Sequence, residues 1–234
     1  LSLHDALPIL IGEPSRMKVI TGHKGGTGYA VHVKGYEVHS SLLPYGVSAI
    51  MEGARLIGWV NDKNAEIQAR PISAAAANFT PPFTTLHVGM IEGGTAHNIT
   101  AGDCRFAVEM RVVPGEDSDA LAAEFVAEAN RLQAVLQAVR PEAGVELEQF
   151  FGVPALQPEA NGAAEALVRR LTGDNATGVV SYGTEAGQFQ EAGYSAVVCG
   201  PGDIAQAHQV DEYLELSEFN AGLRFMQALL EDLA

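Results

Sequence analysis

Glu13, in the turn IGEPS, and His208, in the stretch CGPGDIAQAHQVDEYL, are the two side chains best suited to chemistry in this sequence. A carboxylate and an imidazole are both ordinary metal ligands. Glu13 follows an apolar strand pattern. His208 follows a strand and a Gly-Pro-Gly turn, next to Asp203, Asp211 and Glu212. Open α/β sheets place reactive groups on such loops, beyond the C-terminal ends of their strands. Taken singly, His208 also fits a surface histidine and Glu13 a simple bend. If folding brings the two to one sheet, they could share a metal centre.

Three further residues have polar chemistry to offer. His39 precedes Ser40 and Ser41 ahead of a helix pattern, where a capping or surface role is the ordinary use. Arg111 ends a strand on a polar side shared with Arg105 and Glu109, which also reads as a solvated face. Asn98 stands in a Gly-rich turn region, where asparagine commonly serves through its backbone. The run GHKGGTG at 22–28 looks like a phosphate loop, but a strand follows it where a helix should, and the Walker spacing is absent. Nucleotide binding is rejected.

The elements that must position these groups are legible from hydrophobic period. YAVHVKG at 29–35 alternates as a half-buried strand. Apolar residues then recur at helical spacing from about Gly46 toward Ala65. Strands follow at 84–91 and 104–113 as antiparallel neighbours. A helix with Ser118 as its possible cap carries Leu121, Phe125, Leu132, Leu136 and Val139 on one stripe. GVELEQF is the next strand. This β-α-β-β-α-β order is that of a ferredoxin-like domain. Beyond it, helices at 161–172, 186–192 and from Ser217 alternate with strands near 178–182 and 195–200, as in a parallel-type α/β layer. Residues 10–20 read as one strand of that same sheet. The expected fold class is thus a partial α/β catalytic domain, residues 10–22 and 151–234, with an inserted ferredoxin-like α+β lid over 23–150. Residues 1–9 read as a non-native leader.

Composition narrows the function classes. With 29 acidic against 14 basic side chains, the formal charge is −15, a field that repels nucleic acid and anionic lipid. No apolar run approaches the roughly 20 residues that cross a bilayer. Two cysteines, Cys104 and Cys199, are too few for a disulfide framework, and a reducing cytoplasm is expected.

Seven segments in order carry a resemblance: GEPS at 12–15, GHKGG at 22–26, VHSSLLPYGVSAI at 38–50, GGTAHNI at 93–99, MRVVPGE at 110–116, YGTEAG at 182–187 and GPGDIAQAHQVDEYL at 200–214. Together the sequence resembles the co-catalytic zinc metallopeptidase family of acetylornithine deacetylase, succinyl-diaminopimelate desuccinylase and carboxypeptidase G. GTEAG and AHQVDEYL look most like the acetylornithine deacetylase branch. The resemblance implies a hydrolase that removes acetyl from N2-acetyl-L-ornithine in arginine biosynthesis, and a homodimer formed through the lid. It implies zinc as the metal, two ions per complete site, with cobalt as a substitute. Glu13 and His208 would be metal ligands and His39 the lid histidine that donates to the oxyanion, commonly across a dimer. Asn98 and Arg111 would hold substrate, Arg111 by a bidentate grip on its carboxylate. The turns Gly183-Thr184-Glu185 and Gly200-Pro201-Gly202 would line the pocket. The resemblance puts the family's remaining ligands and its general base upstream of GEPS, and only twelve residues precede Glu13 in this sequence. The expectation is therefore an N-terminally truncated chain that alone neither binds zinc tightly nor hydrolyses N-acetylornithine. A desuccinylase, aminoacylase or carboxypeptidase specificity, or a noncatalytic dimerisation module, are the alternatives.

Overall fold

A computed structural model describes residues 8–207 and 209–234. Its strands are β1 (Ile9–Ile11), β2 (Ile20–His23), β3 (Gly25–Lys34), β4 (Thr85–Gly93), β5 (Asp103–Val112), β6 (Gly144–Val153), β7 (Gly178–Val180) and β8 (Ala196–Val198). Its α-helices are α1 (Ala49–Gln68), α2 (Ser118–Val139), α3 (Ala163–Thr172), α4 (Ala186–Glu191) and α5 (Leu216–Asp232). Two four-stranded sheets result, in the orders β1-β8-β2-β7 and β4-β5-β3-β6. The molecule is mixed α/β, as expected.

The second sheet is antiparallel throughout, with β3 flanked by β5 and β6. This strand order is that of a ferredoxin-like lid. Alternation on β5 decides its two faces. Cys104, Phe106, Val108, Met110 and Val112 point under the helices and are buried, whereas Asp103, Arg105, Ala107, Glu109 and Arg111 face the open side. On α1, Gly53, Leu56, Val60 and Ile67 form the buried stripe. On α2 it is Ala122, Phe125, Ala129, Leu132 and Leu136. Phe125 sits at the centre, its ring 5.9 Å from that of Tyr29 and 5.6 Å from that of Trp59. Such tilted aromatic contacts add to plain area burial.

Several local readings need correction. The 10–20 segment is two strands, because the Gly-Glu-Pro turn breaks it into β1 and β2. Strand β3 begins four residues before the expected Tyr29, since its glycines can still pair with β5. The cap of α2 is Asp117, whose carboxylate accepts from the Ala120 amide at 2.9 Å; Ser118 is already in the helix. The first sheet is mixed: β1 pairs parallel with β8 and β2 with β7, but β2 meets β8 antiparallel at Ile20 and Val198. Among the described residues, no helix is long and apolar enough to cross a membrane.

Replacing Phe125 by Ala should lower the unfolding free energy by about 3–5 kcal/mol, because transfer and cavity costs both apply at a fully buried aromatic. Urea denaturation followed by circular dichroism reads this, and a loss under about 1 kcal/mol would show that the lid core is not centred there.

Candidate active site

Glu13 and the Gly200 turn are brought together by backbone geometry. Strands β1 and β8 are parallel neighbours, so both chains leave the sheet at the same end. The Ser15 amide donates to the Gly200 carbonyl at 3.1 Å, the Met17 amide to the same oxygen at 2.9 Å, and the Arg16 amide to the Gly202 carbonyl at 2.7 Å. The Ser15 hydroxyl in turn accepts from the Gly200 amide at 3.1 Å. A Cβ at Gly200 would lie 2.2 Å from the Gly12 oxygen, so no side chain fits there. Arg16 and Asp203 close the outside of this junction as an ion pair at 2.5 Å.

Tyr182 links this double turn to the rest of the site. Its hydroxyl donates to the Pro14 carbonyl at 3.1 Å. Burial pushes its pKa up, and the Glu13 and Asp203 carboxylates add to that shift. The next residue, Gly183, borders a cavity of about 570 Å³ on the open face of the lid sheet, lined also by His87, Glu109, Arg111, Phe150 and Phe151. Arg111 and Gly183 therefore share one hollow. Arg111 pairs there with Glu109, and its guanidinium lies 5.6 Å from the centre of the Phe151 ring. The glycine run of β3 explains the cavity floor: a Cβ on Gly28 would fall 2.4 Å from the Phe151 ring, so only glycine lets Phe150 and Phe151 lie against the sheet. That packing is the work of GGTG.

The other predicted residues divide between three places. His39 and Asn98 meet at the far end of the lid, where the Ser40 amide donates to the Asn98 carbonyl at 2.8 Å and His39 pairs with Ile99. The His39 ring caps a short 3-10 helix at Ser40–Tyr45 and accepts from the Ser41 amide at 3.3 Å. That end is the length of β3, ten residues or roughly 33 Å, away from the first sheet. Thr184 is buried and Glu185 exposed at the start of α4. Gly200 and Gly202 pack on the Glu13 turn. His208 lies outside the described residues.

Two residues that the pattern reading passed over hold the joint between the sheets. His23 and Lys24 are fully buried where β2 becomes β3. The His23 Nδ1–H donates to the Lys24 carbonyl at 2.9 Å, and Nε2 accepts from the Thr184 amide at 3.4 Å. One neutral tautomer satisfies both contacts. Burial lowers the His23 pKa, outweighing its hydrogen bonds and the Glu185 carboxylate. The Lys24 ammonium donates to the Phe83 carbonyl at 2.8 Å; burial lowers its pKa too, against the opposing field of Glu116. Polar side chains at the junction of β2 and β3 were the sequence signal for this pair.

The resemblance implies a pair of metal ions at Glu13 and His208. Among the described residues, no group of three or more His, Cys, Asp or Glu side chains could hold a metal ion. Asp203, beside Glu13, is already engaged by Arg16. The described residues thus do not make a metal centre by themselves.

The peptidase dimerisation domain matches residues 21–135 of the chain. Acetylornithine deacetylase of Myxococcus xanthus is 34% identical over 216 residues, covering 89% of this chain and 53% of that protein. Acetylornithine deacetylase of Aliivibrio salmonicida (strain LFI1238) is 30% identical over 225 residues, covering 94% and 56%. The chain spans about half the length of these relatives. Among solved structures, aminopeptidase PepT from Bacillus cereus superposes with a TM-score of 0.69 at 16% identity, over 99% of this chain and 59% of that one. The dipeptidase Dug1p of Saccharomyces cerevisiae gives 0.64 at 15%, over 94% and 56%.

The buried His23 sets a pH dependence of stability. Its folded pKa lies below the unfolded value of 6.5, so the unfolded state binds the proton first. Stability is complete above pH 6.5 and should fall as the pH drops below it toward the folded value. In His23→Gln, urea midpoints measured between pH 8 and 5 should lose this part of the slope. An unchanged slope would place the titrating group elsewhere.

Proposed function

Because the chain belongs to the metallopeptidase family that includes acetylornithine deacetylase, we propose that it is the lid-bearing part of a metal-dependent hydrolase acting on N2-acetyl-L-ornithine. One observation carries this reading. Arg111 and Gly183 border one cavity, and Gly183 adjoins Tyr182, which is hydrogen-bonded to the turn holding Glu13. The cavity that holds the Arg111 guanidinium is thus linked through Gly183 and Tyr182 to the turn that carries Glu13. In this reading residues 10–22 and 151–234 form part of the catalytic layer and 23–150 the lid.

Arg111 would grip the α-carboxylate through two parallel N–H donors and so orient the amide. Phe150, Phe151, Met90 and Val153 give the pocket apolar walls. Zinc, or cobalt in its place, would supply an activated water when bound, with Glu13 and His208 as ligands. His39 would donate to the oxyanion, a contribution of roughly 2.7–4 kcal/mol for one well-placed donor. Since His39 sits at the far end of its own lid, it would serve the site of a second copy, with Asn98 beside it on the substrate. Thr184 and Glu185 complete the wall next to Gly183, and Gly200 and Gly202 hold the Glu13 turn in place. The assembly would be a cytoplasmic homodimer, a compartment in keeping with the free, buried thiols of Cys104 and Cys199.

The described donor set predicts that the 234-residue chain alone binds less than stoichiometric zinc and releases no acetate from N2-acetyl-L-ornithine. Metal analysis after gel filtration and an acetate assay check this. In the full-length protein, Arg111→Lys should raise KM by about tenfold or more, because one point charge replaces a bidentate grip. A KM unchanged within twofold would remove Arg111 from the substrate.

A further inference from the structure

We propose that Glu109 is the specificity-determining residue of the Arg111 cavity, receiving the side-chain ammonium of an N-acyl basic amino acid whose carboxylate goes to Arg111. This rests on the reading of that cavity as the substrate pocket. His87, Glu109 and Arg111 are the titratable groups of its lining, and the remaining walls are Gly89, Met90, Ala107, Phe150, Phe151, Val153 and Gly183. Glu109 and Arg111 point to the same open face of β5, two residues apart, and pair with each other. Their side chains are 34% and 38% exposed, so neither is locked in the core.

The pair poses a matching problem to any ligand. A carboxylate that takes the Arg111 guanidinium withdraws it from Glu109, and the glutamate is left beside phenylalanine rings without its counter-charge. A neutral side chain leaves that loss uncompensated. A side chain ending in an ammonium restores it, and one internal ion pair is exchanged for two to the ligand. The spacing agrees. Residues i and i+2 of a strand lie about 6.7 Å apart. The carboxylate carbon and terminal nitrogen of an extended ornithine side chain are about 6 Å apart, five bonds of ~1.5 Å. His87, opposite Glu109 in the β4–β5 register, is the one other group in the cavity that could meet a ligand carboxylate. The formal charge of −15 on the chain also favours a cationic side chain over an acidic one.

Titration calorimetry on the purified chain with N-acetyl-L-ornithine and N-acetyl-L-norleucine tests this, since norleucine replaces the ammonium by a methyl group of similar reach. The wild type should bind the ornithine compound about tenfold tighter. In Glu109→Gln that ratio should fall to within about twofold of unity, the norleucine compound binding more tightly than to the wild type because no carboxylate is left without its counter-charge. Glu109→Lys should shift the preference to N-acetyl-L-glutamate. The assignment is overturned if the wild type binds neither compound or shows no preference. It is equally overturned if the glutamine variant keeps the ratio or weakens both ligands alike, which would leave Glu109 as a brace for Arg111. Acetate release by the full-length protein is scored separately: the binding pattern without hydrolysis would refute the hydrolase reading and leave the pocket assignment standing.

Discussion

The burial of His23 and Lys24 where β2 passes into β3 is the constraint on which the arrangement of this molecule depends. Two sheets of different topology are joined there by a single residue of chain, and the polar groups on that residue and its neighbour cannot reach water. Each finds an internal partner: the imidazole takes the Lys24 carbonyl and the Thr184 amide, the ammonium takes the Phe83 carbonyl. A buried polar group without such a partner costs several times what the hydrogen bond contributes. The joint therefore admits few orientations. It ties the GTEAG turn, the segment before β4 and the first glycines of β3 to one another.

Rigidity at the joint is what gives the cavity its shape. Gly25 and Gly26 follow Lys24 directly, and Arg111 lies opposite Gly26 in the ladder. Gly183 lies against the Lys24 carbonyl and Val153. A shift of the lid about this point would separate Arg111 from Gly183, and the hollow would open into a groove. The second anchor is the double turn of Gly12–Met17 on Gly200–Gly202, which holds the chain around Glu13 by backbone hydrogen bonds and leaves that residue half-buried.

Much of the lid was legible because its periodicities are strong. The alternation of CRFAVEMRVV and the helical stripe ending at Leu136 report two faces each, and burial enforces both. The first sheet was less legible. Its strands are three or four residues long, too short for alternation to show, and the antiparallel contact of β2 with β8 comes from a chain reversal at 12–19 that no local pattern marks. Arg111 was found as a candidate, yet its partner Glu109 was read only as part of a charged face, because the sequence does not say that Phe150 and Phe151 roof that part of the strand. His23 and Lys24 were missed since burial of polar side chains is set by tertiary contacts that composition does not reveal.

The interlock between the Ser15 turn and Gly200 spans 185 residues of sequence. On a ribosome adding about 5–20 residues per second, β1 would wait roughly 10–40 s for its partner strand to emerge. The lid strands find their partners among themselves and need no such delay. During that interval the edge of β1 that β8 will cover stays unpaired, and an open strand edge invites off-pathway pairing.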